Sequence, residues 1–258
     1  MYYIICFLLF TTLVIKYYFV LFLNIISFFI GIFCYLFHYR RNSIFSKNLK
    51  LVLGDINFIK KQLIMINSYK NFSFNTLVVF LQFIFGYSYL NSYYNINKYT
   101  IKKNTLLVAC HYGLYHDQSS LISIFNTSIG AIYKGPKNIQ INKKLKIFKH
   151  SNIDFDELYK NKLIATAIDQ KSSDLPKINF LNQNLKFHNK LVKYCLKKDR
   201  DIIFAYVEIN LNSLNLQIVK IETKNKDLKD IIQLIADKMT ILIINNPKQY
   251  LWFHDRFK

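Results

Sequence analysis

A histidine and an acidic residue follow an apolar run that has the composition of a buried strand. The run is TLLVAC at 105–110, and His111 and Asp117 come after it. A carboxylate beside an imidazole fixes its tautomer and stabilises the imidazolium that forms, so such a pair can act as a general base. We predict His111 as the base and Asp117 as its partner. The alternative is that His111 caps the strand and Asp117 caps the helix beginning near residue 119.

Two further strand-like runs also end in polar residues. GAIY at 130–133 precedes Lys134, and LIATAI at 163–168 precedes Asp169 and Gln170. Because ligands of α/β sheets bind at the carboxyl ends of the strands, we expect these side chains at one edge of a sheet, near His111. We predict that all three side chains bind substrate. The alternatives are a solvated Lys134 and a turn-forming Asp169.

Strand-like and helical runs alternate through the rest of the chain and predict the elements that position these residues. This alternation is typical of an α/β protein with a layered αβα domain and a largely parallel sheet. The predicted strands are 105–110, 130–133, 163–168, 201–207 and 214–221. The predicted helices are 48–68, 75–85, 119–125, 142–149, 185–197 and 227–244.

The N-terminal region is apolar enough to cross a membrane. Residues 17–37 contain no charged side chain, and at about 1.5 Å per residue they match a hydrocarbon core about 30 Å thick. Residues 2–15 are apolar but short, and Lys16 separates the two stretches, so we expect one span or two. A cleaved signal is the rival interpretation, but no basic segment precedes the apolar run. We therefore predict a membrane anchor over 1–38.

Charge predicts the side of the membrane and the kind of partner. Arg40 and Arg41 follow the apolar segment, and basic residues next to a span favour the cytoplasmic side for the domain at 39–258. The chain has 35 basic and 15 acidic residues, a net charge of +20, so we expect an anionic partner. Dispersed lysines without a zinc-finger or RNA-binding motif favour lipid over nucleic acid. The four scattered cysteines predict neither a disulfide framework nor a metal site.

The end of the chain carries the most specific motif. Residues 246–258 read NPKQYLWFHDRFK. This run resembles the terminal signature of the lipid A late acyltransferases, the lauroyl and myristoyl transferases of the lysophospholipid acyltransferase-like superfamily. That signature has proline, an acidic residue, Gln-Tyr-x-Trp, basic residues and Phe-Lys. Further matches in chain order are Arg40, Arg41, Asn48, Leu49, His111, 133–138, Asp169, Gln170 and 179–181.

The resemblance implies a fold, a reaction and a location. The fold would be glycerolipid acyltransferase-like, on the cytoplasmic face of a bacterial inner membrane. The reaction would transfer a fatty acyl chain from an acyl carrier protein thioester to a hydroxyl of a lipid A precursor, without metal or cofactor. His111 would take the hydroxyl proton, Asp117 would orient His111, and Lys134 and Arg256 would bind the anionic substrate. We expect Cys110 to be packed in its strand and His254 to be structural.

Two departures from the family pattern leave alternatives open. In the family pattern four residues separate the histidine from the acid, which would place the acid at position 116 of this chain. That position is His116, and the carboxylate comes one residue later, at Asp117. Lys134 stands where the family commonly has arginine, so charge is kept but bidentate geometry is lost. The alternatives are an acyltransferase for another glycolipid and an inactive membrane-tethered protein that binds anionic lipid.

Overall fold

The chain has an apolar helical region followed by a mixed sheet with helices on both faces. The computed structural model describes residues 2–85, 93–96, 101, 104–115, 128–133, 145–149, 155–169, 172, 176–254 and 256–257.

Six helices and nine strands make up this described part of the chain. The helices are α1 (Tyr2–Phe37), α2 (Tyr39–Leu53), α3 (Phe58–Phe85), α4 (Phe155–Tyr159), α5 (Lys190–Lys197) and α6 (Leu228–Asn245). The strands are β1 (Tyr94–Ile96), β2 (Thr105–Ala109), β3 (Ile129–Tyr133), β4 (Leu145–Lys149), β5 (Leu163–Ala167), β6 (Lys177–Phe180), β7 (Gln183–Lys186), β8 (Asp201–Ile209) and β9 (Leu214–Ile221). A 3-10 turn, Pro247–Gln249, follows α6.

Most of these strands join one mixed sheet. Within the described residues its order is β1-β9-β8-β2-β5-β3-β4. Each pair from β8 to β4 is parallel, β9 runs antiparallel to β8, and β1 pairs in parallel with β9. Strands β6 and β7 form a separate antiparallel hairpin. The predicted α/β class with a mostly parallel sheet is confirmed, and β2 and β5 are adjacent with their carboxyl ends at the same edge.

Four of the predicted helices differ from the observed elements, and the helix predicted over 119–125 lies outside the described residues. The helix predicted over 75–85 is the second part of α3, which begins at Phe58. The helix predicted over 142–149 is wrong, because β4 lies there; its backbone pairs in parallel with β3 along all five residues, and this pairing decides the structure over the local pattern. The helix predicted over 185–197 begins only at Lys190, after β7. The helix predicted over 48–68 is interrupted at Gly54, whose φ of 70° ends α2.

The sheet separates two apolar cores because neighbouring side chains of a strand point to opposite faces. On β2, Leu106 and Val108 belong to a core that includes residues of α2, α5 and α6. Leu107 belongs to the second core, where Val20 of α1 and Phe74 of α3 are also buried. The N-terminal helices are therefore packed against the sheet.

Helix α1 combines this packing with a long apolar exposed face. Over Tyr17–Phe37 it is long and apolar enough to cross a membrane, so it could be a membrane anchor or a signal sequence. Gly31 faces α3 so closely that an added Cβ would lie 2.6 Å from the backbone nitrogen of Lys70. On the other side, Phe22, Phe29 and Phe33 are exposed. The helix thus joins the folded domain along one side and exposes aromatic residues along the other.

Candidate active site

The carboxyl ends of β2 and β5 bring an imidazole and a carboxylate together. Asp169 Oδ1 lies 2.8 Å from His111 Nδ1, and Asp169 Oδ2 accepts a 3.1 Å hydrogen bond from the backbone nitrogen of His111. The Asp169 side chain has no exposed surface, whereas 14% of the His111 side chain is exposed. The carboxylate is therefore fully buried, and the histidine that it contacts is partly exposed to solvent.

The C-terminal segment supplies two further contacts to this carboxylate, from Tyr250 and Arg256. Arg256 Nη1 forms an ion pair with Asp169 Oδ2 and also donates to the Tyr250 hydroxyl. Tyr250 in turn donates its hydroxyl proton to Asp169 Oδ2 over 3.3 Å. Burial disfavours the charged form of Asp169, but the positive charge of Arg256 and the contacts with His111 outweigh it and hold the pKa of Asp169 well below its usual range.

The ionised carboxylate decides which nitrogen of His111 carries the proton. A carboxylate only accepts hydrogen bonds, so Nδ1 of His111 must donate to Asp169. In neutral imidazole the other nitrogen, Nε2, then has a free lone pair. Nε2 is the atom that can take a proton from a substrate, which is the chemistry of a general base.

The C-terminal segment, residues 246–257, is joined to this edge by backbone hydrogen bonds. Gly113 N donates to Gln249 O over 3.0 Å, and Leu251 N donates to His111 O over 3.0 Å. The side-chain amide of Gln249 pairs with both backbone groups of Ile209 at the end of β8. The loop after β2, the end of β8 and the C-terminal segment are therefore one hydrogen-bonded unit.

Gly113 permits the closest approach in this unit. Its φ is +59°, and a Cβ added there would lie 1.7 Å from the backbone oxygen of Val207 on β8. A non-glycine residue would meet both an unfavourable backbone conformation and a backbone clash that no side-chain movement relieves. Glycine is therefore required for the loop to lie against β8.

Helices α2 and α3 hold the C-terminal segment through side-chain amides. Asn48 Nδ2 donates to the backbone oxygens of Trp252 and His254 over 2.8 and 2.7 Å. Asn71 Nδ2 donates to Lys248 O over 2.8 Å, and Arg41 Nη1 donates to Phe253 O over 3.0 Å. Helices from the N-terminal third thereby fix the segment that carries Tyr250 and Arg256.

Several predicted site residues lie outside the described part of the chain. These are Asp117, Lys134 and Gln170. Their predicted roles therefore stay predictions. The orienting contact that we predicted for Asp117 is made, in the described structure, by Asp169 on Nδ1 of His111.

Asp169 and Arg256 were both predicted to bind substrate, and the structure places them behind His111 instead. Only 5% of the Arg256 side chain and none of the Asp169 side chain is exposed. The charge of each is paired with that of the other in a buried ion pair. This burial favours a role in positioning His111 over contact with substrate.

Two other residues of this region were given non-catalytic roles from the sequence. Cys110 is buried, as we expected, and burial raises the pKa of its thiol well above the ordinary value. His254, which we expected to be structural, is exposed, and its ring centroid lies 5.7 Å from that of His111. The signal that could have found it is its position two residues before Arg256 in the terminal motif.

The site is thus a His–Asp pair at the carboxyl edge of a mostly parallel sheet, completed by an arginine and a tyrosine from the C-terminal segment. No known protein-family model matches this chain, and no curated protein matches it.

Proposed function

We propose that this protein is a membrane-bound acyltransferase that moves a fatty acyl chain from an acyl carrier protein thioester to a hydroxyl of a lipid acceptor. The observation that carries the proposal is the 2.8 Å contact between His111 Nδ1 and the ionised Asp169. It supports a general base at Nε2, which is the group that a hydroxyl needs to become a nucleophile.

The proposed reaction proceeds in one transfer. The acceptor hydroxyl gives its proton to Nε2 of His111 as its oxygen forms a bond to the thioester carbonyl carbon. The carbon–sulfur bond then breaks, and the thiolate leaves with the proton returned by His111. Asp169 stays ionised throughout and stabilises the imidazolium that exists between these two proton transfers.

A direct transfer is preferred to an acyl-enzyme on Cys110. That side chain is buried, and its raised pKa keeps the thiol protonated and weakly nucleophilic. His111, by contrast, is partly exposed beside it. We therefore assign no covalent step to this cysteine.

The exposed faces of the N-terminal helices support a lipid acceptor. Phe22 and Phe33 on α1 and Phe80 and Ile84 on α3 are all exposed. Exposed apolar faces of this kind mark contact with a membrane or a partner. A bacterial inner membrane with the domain on its cytoplasmic face would supply both the carrier protein and the lipid.

The sequence resemblance narrows the acceptor to a lipid A precursor or a related anionic glycolipid. The net charge of +20 favours binding of such a lipid and of an acidic carrier protein. Of the residues predicted to bind the lipid, Lys134 remains our candidate for a phosphate contact.

The test is mass spectrometry of lipid A from cells that lack a late acyltransferase and express this chain. The proposal predicts a new species heavier by one acyl chain, and its loss in the His111→Ala variant. His188→Ala is the matched control, because His188 lies in the loop before α5 and the proposed reaction gives it no role, so the new species should persist in this variant.

Two results would count against the proposal. A new acyl species that persists in His111→Ala would show that His111 is not the general base. No new species from well-expressed, membrane-inserted protein would exclude this acceptor, and vesicle binding without turnover would then favour the anionic-lipid-binding alternative.

A further inference from the structure

The backbone amides around His111 are already engaged. His111 N donates to Asp169 Oδ2, and Tyr112 N donates to Cys110 O over 2.8 Å. Gly113 N donates to Gln249 O and Leu114 N to Val207 O, each over 3.0 Å. Acyl transfer develops negative charge on the carbonyl oxygen, and pre-placed donors usually stabilise it. The backbone of residues 111–114 is therefore not the source of that donor.

The buried arginine of the site is also engaged. Arg256 Nη1 is paired with Asp169 Oδ2 and donates to Tyr250, and the side chain is 5% exposed. Arg256 Nε has no hydrogen-bond partner in the described structure, but this atom is fully buried, so a substrate carbonyl could reach it only if the surrounding residues moved. Among the described residues, the remaining candidate for this donor is a side chain that reaches solvent beside His111.

His254 has this position. The residue as a whole is exposed, and its ring centroid lies 5.7 Å from that of His111 with the ring planes 59° apart. Because one hydrogen bond spans about 3 Å, imidazoles at this separation leave room for one to contact the acceptor hydroxyl while the other contacts the carbonyl oxygen that the hydroxyl attacks.

The backbone of His254 is fixed from two sides. Its carbonyl oxygen accepts hydrogen bonds from Asn48 Nδ2 over 2.7 Å and from Arg256 N over 2.9 Å. These bonds fix where the side chain of His254 starts, beside the site, and a donor placed near its target before the reaction needs less reorganisation when charge develops.

The ionisation state of His254 suits this task. Partial shielding from water, together with repulsion by Arg256 and His111, lowers the pKa of His254 to about 4. The ring is therefore neutral near pH 7, with one N–H donor. A neutral imidazole can polarise a carbonyl without competing with His111 for the acceptor proton.

We propose that His254 is a catalytic residue, whose ring N–H donates to the thioester carbonyl oxygen while the acceptor hydroxyl loses its proton to His111. This rests on the proposed acyl transfer. His111 takes the proton, His254 stabilises the oxyanion, and the oxyanion collapses as the carbon–sulfur bond breaks.

The test measures thiol release from a lauroyl acyl carrier protein by the full-length protein in detergent micelles with a lipid A precursor. His254→Ala should lower kcat about 100- to 1,000-fold, the usual effect of removing one oxyanion donor, and leave the KM for the thioester unchanged. His254→Gln, which keeps an N–H donor, should recover at least tenfold of that loss.

The outcomes separate this inference from the function on which it rests. If His254→Ala turns over at the wild-type rate while His111→Ala is inactive, acyl transfer stands and the role of His254 is overturned. It is also overturned if His254→Gln is as slow as His254→Ala with the same melting temperature. If the wild-type protein releases no thiol, both proposals fail.

Discussion

Replacing Arg256 by methionine should destabilise the C-terminal segment, because it leaves a buried carboxylate without its cation. Asp169 has no exposed surface, so water cannot replace the lost charge. Breaking one partner of a buried ion pair costs about 3–5 kcal/mol. Asp169 would keep its donors from His111 and Tyr250, so we expect about 3 kcal/mol, the lower end of that range.

The single tryptophan of the chain provides the assay. Trp252 is fully buried in the C-terminal segment, and its Nε1 donates to Pro247 O over 2.6 Å. Its fluorescence during urea unfolding in dodecyl maltoside therefore reports this segment directly. Arg256→Met should shift the transition to lower urea, whereas the exposed Arg40→Met should change the unfolding free energy by less than about 0.5 kcal/mol.

The Arg256→Met/Asp169→Asn double variant refines the test. Removing both charges should restore about 1–2 kcal/mol relative to Arg256→Met, because no unpaired charge stays buried. Additive losses in the double variant, or an Arg256→Met loss no larger than that of Arg40→Met, would refute the ion-pair reasoning.

Three further changes test other parts of the site. Gly113→Ala should cost at least about 3 kcal/mol of unfolding free energy, measured by tryptophan fluorescence, because the added Cβ meets a backbone oxygen. Asn48→Ala should cost about 1–3 kcal/mol and slow thiol release, since the backbone oxygens of Trp252 and His254 each lose a donor; Asn67→Ala, which removes a solvent-exposed bond to Leu63 O within α3, should change neither. The depressed pKa of Asp169 stabilises the fold fully above about pH 4 and loses this effect as pH falls further. Between about pH 4 and pH 2 wild-type stability should therefore fall by up to ~1.4 kcal/mol per pH unit more than that of Asp169→Asn.

Strand-end reasoning placed two of the key residues correctly at one edge. His111 and Asp169 each follow a short apolar run, and such runs become neighbouring parallel strands in the observed order. What the pattern could not give was the partner of His111. Sequence reasoning chose Asp117, the nearest carboxylate after His111 and one position beyond the family spacing, whereas Asp169 reaches Nδ1 from the end of the adjacent strand.

The path of the C-terminal segment was also beyond sequence reasoning. Sequence reasoning assigned Arg256 to substrate binding because it lies in a basic terminal motif. The segment that carries it is held by contacts with α2 and α3, which are far away in the chain. Local pattern similarly misjudged β4, where a strand of five residues resembles a helical turn when read without its neighbours.

The most direct test of the central claim is the rate of acyl transfer by Asp169→Asn relative to that of the wild type. Circular dichroism should first show that the two proteins have the same secondary structure content. If Asp169 holds His111 in its reactive tautomer, this variant should lose about 100- to 10,000-fold in kcat, because an amide can stabilise neither that tautomer nor the imidazolium. A folded Asp169→Asn protein that transfers acyl chains at the wild-type rate would contradict the account.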